Sequence, residues 1–81
     1  MNPTVELLHG AVIVRFKGIM HFRCKRTDII AVHSWMWNEK HGDPHARFFI
    51  EYTTTKGVVL CDYDREEFWI TILNGLEEAL K

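Results

Sequence analysis

The sequence predicts an α+β fold: an antiparallel meander sheet of about six strands, bent, and closed by one C-terminal amphipathic helix. Glycines at 10, 18, 42 and 57 punctuate the first three quarters at strand-length intervals, with short apolar segments between them. Beyond residue 62 the apolar period changes from two to about 3.6. The composition, 47% hydrophobic and 26% charged, is that of a packed globular chain rather than a disordered one. Eighty-one residues predict one domain, 1–81, small enough to be marginal in stability without a partner.

The first two strands are expected at Thr4–Leu8 and Ala11–Phe16, turning at His9-Gly10, which pairs Leu7 with Val12 and Val5 with Val14. A third strand, Met20–Cys24, follows a loop at Lys17-Gly18-Ile19. A three-residue loop pairs Phe16 with Met20, Val14 with Phe22 and Val12 with Cys24, all apolar. A two-residue turn would set Val14 against His21 instead. The fourth strand, Ile29–Trp37, is apolar on both faces: Ile30, Val32, Ser34 and Met36 on one, Ile29, Ala31, His33, Trp35 and Trp37 on the other. Residues 38–46 form the polar loop. The fifth strand, Arg47–Thr54, and the sixth, Val58–Asp62, are expected to meet at a Lys56-Gly57 turn that pairs Thr54 with Val59 and Tyr52 with Cys61.

The helix, about 65–80, carries the clearest signals. Asp64 suits the N-cap, with Glu67 three residues on and Tyr63 placed to staple Phe68. Phe68, Trp69, Ile72, Leu73, Leu76, Ala79 and Leu80 fall in an arc of roughly 140°. Gly75 lies at the rim of that arc, where a missing side chain permits close approach to the sheet. One helix covers one face, and the other face on these registers holds Leu8, Ile13, Trp35, Trp37, Phe49 and Leu60. The sheet therefore either curls over that face or offers it to another chain.

Residues 27–80, about two thirds of the chain, resemble the second half of a bacterial pleckstrin-homology-like domain. The resemblance rests on the strand start Thr27-Asp28-Ile29-Ile30-Ala31-Val32, the strand Phe48-Phe49-Ile50-Glu51-Tyr52, the Lys56-Gly57 hairpin and the helix entry Asp64-Arg65-Glu66-Glu67-Phe68-Trp69. It implies a bent antiparallel sheet closed at one end by the helix, and a domain that binds partners.

No phosphate-binding glycine loop, dinucleotide fingerprint or nucleophile elbow occurs in the sequence. The expectation is a protein that is not an enzyme and needs no cofactor. Cys24 and Cys61, without metal or redox spacing, read as two buried thiols in a reducing compartment. The first ten residues lack a basic stretch and carry Glu6, and no apolar run is long enough to span a bilayer, so a cytoplasmic location away from the membrane is expected. His41 and His45 form an H-x3-H beside Glu39 and Asp43, but Gly42 and Pro44 disfavour the helix that would aim both at one metal, leaving a solvated loop as the stronger reading. Glu51 and Asp62 are placed to face each other across two strands.

Residues 1–40 hold six Lys/Arg against three acids, and residues 41–81 four against eight, giving a basic and an acidic half. Arg15, Lys17, His21, Arg23, Lys25 and Arg26 gather around one hairpin, a candidate surface for an anionic ligand or nucleic acid. The aromatic face of Trp35, Trp37, Phe49, Leu60 and Ile13, with Ile70 as a smaller outlying candidate, suits a protein partner. The leading expectation is a non-enzymatic protein-interaction domain that self-associates as a homodimer through that face, of the kind a virus or plasmid uses to inhibit a host protein. The alternative is the anion binder.

Overall fold

The computed structural model describes residues 2–38 and 44–81. The strands are β1 (Thr4–Leu8), β2 (Ala11–Phe16), β3 (Ile19–Lys25), β4 (Ile29–Trp37), β5 (Arg47–Thr54) and β6 (Gly57–Tyr63), and the helix is α1 (Glu66–Ala79). They form two three-stranded antiparallel sheets, β1-β2-β3 and β4-β5-β6, with α1 against β1, β5 and β6. A 3₁₀ turn at Arg26–Asp28 makes the corner between the sheets. The amide of Arg26 donates to the Gly10 carbonyl at 2.9 Å, and the amide of Thr55 donates to the Asp28 carbonyl at 2.9 Å, tying the corner to a hairpin of each sheet.

Both turns of the first sheet have two residues. His9 and Gly10 take φ of 52° and 79°, and Lys17 and Gly18 take 54° and 74°. Consecutive positive φ values match the right-handed twist of the flanking strands, and glycine takes the second position without steric cost. The β1–β2 register is the expected one, Leu7 with Val12 and Val5 with Val14. Between β2 and β3 the expected pairs Val14–Phe22 and Val12–Cys24 form by another route. Phe16 pairs with Ile19 and Arg15 with Met20, and His21 is then inserted as a bulge before Val14 meets Phe22. The apolar pairing is kept by one extra residue in the strand, not in the loop.

A second bulge alters β4. Ile29 pairs with Thr54 and Ala31 with Thr53, leaving Ile30 between them without a partner. Ile29 therefore shares the core side with Val32, while Ile30 is exposed, the reverse of strict alternation. The β5–β6 hairpin also differs from expectation. Its turn is Thr55-Lys56, with Thr54 opposite Gly57, Tyr52 opposite Val59 and Ile50 opposite Cys61. The slip is two residues, so every side chain keeps its face. Glu51 now lies opposite Leu60 and Asp62 opposite Phe49, so the two carboxylates do not face each other.

The inner faces of the sheets and the helix stripe make one core. Val12, Val14, Phe16 and Phe22 come from the first sheet, Phe48, Ile50, Tyr52 and Tyr63 from the second, and Ile72 and Leu76 from α1. Phe22 and Tyr52 stack across the sheets, centroids 3.8 Å apart and planes 8° from parallel. All seven residues of the expected helical stripe belong to this core or pack against it. Burying Ile72 and Leu76 contributes roughly 1.5–3 kcal/mol each. The helix begins one residue later than Asp64 predicts: Arg65 is the N-cap, extended and without a side-chain cap bond. Strand β6 runs through to Tyr63, so Asp64 and Arg65 are needed to make the corner. Gly75 behaves as expected. A Cβ there would stand 2.7 Å from Cβ and Cγ2 of Val5, so its absence sets how closely α1 lies on β1.

No described helix is long and apolar enough to cross a membrane.

Candidate binding cleft

The two sheets place the expected surface residues in different surroundings. Trp35, Trp37, Phe49 and Leu60 lie on the outer face of β4-β5-β6. Ile13 lies on the other sheet, opposite Glu6 and Arg23, and is only 6% exposed. Long charged side chains flanking an apolar residue shield it in this way. Ile70 is on the exposed side of α1. On the outer face of the second sheet the ring contact among the described residues is a single pair, Trp35 on Phe49 with centroids 5.3 Å apart. Trp37, opposite Arg47, makes no ring contact among the described residues, and Arg47 ion-pairs with Asp62. The remaining ring contacts, such as Phe16 on Phe68 and Phe48 on Trp69, join core elements. The expected aromatic face does not exist as a cluster, and the reading of a homodimer or host-protein inhibitor acting through it is overturned.

The basic residues of the first hairpin also fail to converge. Arg15 ion-pairs with Glu6 at 3.5 Å, and Lys17 lies over the Phe16 ring at 5.2 Å. His21 turns to Tyr63, and the Arg26 guanidinium donates to the Lys81 carbonyl. Arg23 and Lys25 remain exposed, without an ion pair among the described residues. As for metal, His41 lies outside the described residues, His45 already interacts within the chain, and no metal-holding group of three His, Cys, Asp or Glu occurs among the described residues.

What the structure does bring together is β3 with β6. They belong to different sheets and do not pair, so among the described residues each has an edge without a strand neighbour. At one end side chains join them. His21 Nδ1 and the Tyr63 hydroxyl share a hydrogen bond of 3.0 Å, their rings stack at 5.6 Å, and the Cys61 thiol lies 3.8 Å from the His21 carbonyl oxygen, to which it donates. The bulge makes this possible, because it frees His21 from the ladder and turns it toward the second sheet. Burial raises the Tyr63 hydroxyl and Cys61 thiol above their ordinary pKa values, with the neighbouring acidic groups adding to it, so both stay neutral.

Further along, the strands diverge around a cleft of about 220 Å³, lined by Phe22, Arg23 and Cys24 from β3, and by Thr54, Lys56, Gly57, Val58 and Val59 from the β5–β6 hairpin. Phe22, backed by the Tyr52 ring, makes it apolar. Lys56 is set by its turn: its amide donates to Thr54 Oγ1 at 3.1 Å, and that hydroxyl donates to the Gly57 carbonyl at 2.9 Å. Among the described residues no acid lines the cleft, and Arg23 and Lys56 are its cations. A larger hollow of about 390 Å³ at the start of α1 is lined by Asp64, Arg65, Glu66 and Glu67. Its cation Arg65 is already paired with Glu67 at 2.6 Å, and it offers no open strand edge.

Of the cleft residues only Arg23 is marked by the sequence as a binder. The other signal was the run Val58-Val59-Leu60, which puts apolar side chains on both faces of one short strand. No protein-family model, curated protein or solved structure matches the chain.

Proposed function

We propose that the chain is a non-catalytic binding module of the pleckstrin-homology-like kind, taking a protein partner in the cleft between β3 and β6. The observation that carries this reading is the cleft itself: an apolar hollow with two cations on its wall, beside a strand edge that has no neighbour among the described residues. The order of elements over residues 27–80, three antiparallel strands followed by the helix, supports this reading. Two cysteines left as thiols suit a cytoplasmic site of action.

A photo-crosslinking side chain placed at exposed Val58 and expressed in the native cell tests the site. It is expected to trap a discrete protein that the same probe at Trp37 does not trap. Trapping from Trp37 alone would move the binding surface elsewhere.

A further inference from the structure

Among the described residues the cleft has a free strand edge on one side, an apolar floor, and cations without acids on its wall. A partner that satisfies all three at once is narrow in chemistry. We infer that the ligand is an extended acidic peptide segment that adds as a fourth strand to the β3 edge, a deepening that rests on the binding-module reading above. Backbone groups of β3 on the side away from β2 have no strand partner among the described residues, and an added strand supplies one. Alternate residues of such a strand point the same way. One set enters the hollow against Phe22, Cys24 and Val59, while acids within reach of the rim meet Arg23 and Lys56. Lys25, exposed at the end of β3, extends the cationic rim.

The other sheet has open edges at β6, across the cleft, and at β4, where the described residues line none of the hollows above. β1 is covered by α1. Charges on an edge strand also serve to discourage pairing between copies. That role predicts repulsion of every added strand, whereas the inferred one predicts acceptance of an acidic one.

The test uses the full chain and a synthetic alternating Val-Glu peptide of about eight residues, with a Val-Lys peptide of equal length beside it. Amide NMR spectra are expected to shift at Phe22–Cys24 and Val58–Val59 with the acidic peptide and not with the basic one. Hydrogen exchange of β3 amides should slow on binding. Raising salt from about 50 to about 500 mM should weaken the complex. The double variant Arg23→Glu, Lys56→Glu should weaken it about tenfold or more while unfolding at an unchanged temperature. N-methylation of alternate peptide amides, which blocks strand pairing, should abolish it. Equal binding of the Val-Lys peptide, shifts confined to β4, or unchanged affinity of the N-methylated peptide would each overturn strand addition by an acidic segment. Failure of the Val58 crosslink would instead remove the binding-module reading.

Discussion

The two sheets meet differently on the side taken by the helix and along the seam between β3 and β6. On the helix side closure is complete. Ile72 and Leu76 are buried, Gly75 lets the helix backbone close on Val5, and the Trp69 indole donates to the Phe49 carbonyl at 3.0 Å. Along the other seam two side-chain bonds from His21 and Cys61 hold one end, and the rest stands open. A fold with one sealed side and one unsealed side has its stability on the first and room for a ligand on the second, so substitutions on the two should separate.

The largest expected effect is on the sealed side. Leu76→Ala should destabilise by about 2–5 kcal/mol, measured by chemical denaturation, because transfer and cavity costs add. Gly75→Ala should cost about 1–3 kcal/mol, since its Cβ must displace either Val5 or the helix. A neutral result would mean that α1 rides more loosely on β1 than the contact implies.

At the joined end of the seam, Tyr63→Phe should cost about 1 kcal/mol through loss of the His21 bond. It should also change the pH profile. Burial keeps Tyr52, Tyr63 and Cys61 protonated in the folded chain above their ordinary values of 10.0 for the tyrosines and 9.0 for the thiol. Groups that hold a proton more tightly when folded contribute fully below the unfolded value, and that contribution is lost as pH rises past it. Stability should therefore hold to about pH 9 and fall more steeply beyond about pH 10, with a shallower fall in Tyr63→Phe. Thermal unfolding across that range reads both.

Tyr52→Phe should be close to neutral, or stabilising by up to about 1 kcal/mol, because the Tyr52 hydroxyl is buried without a partner among the described residues. Smallest of all, Lys56→Glu at the open cleft should change stability by less than about 0.5 kcal/mol. A large loss there would show the cleft to be part of the fold's support.

The helix was legible in the sequence because seven apolar residues at one angular position outweigh any local error, and only its cap was misplaced, by a strand that ran longer than expected. The strands were legible in extent but not in register. Periodicity counts residues, and two bulges and a slipped hairpin each change the count without changing the sequence. At β5–β6 the slip was even and the faces survived; at Ile29-Ile30 it was odd and they did not. The cleft stayed hidden because it is made by two edges from different sheets, and nothing in a strand's own sequence says which edge will stand beside it. The expected aromatic surface failed for the same reason, since Ile13 and Trp35 were assigned to one sheet and belong to two.

The bulge at His21 bears on how the chain tolerates length changes. Losing one residue from a strand ordinarily turns everything beyond it inside out. Deleting His21 would instead leave Arg15 opposite Met20 and Val14 opposite Phe22, a flush ladder with no side chain reversed. What would go is the His21 side chain that reaches Tyr63. Within its own hairpin the His21 ring makes one edge-on contact, with Phe16 at 6.0 Å, and its hydrogen bond goes to the neighbouring sheet, so a shortened β3 should fold while the joined end of the seam comes apart.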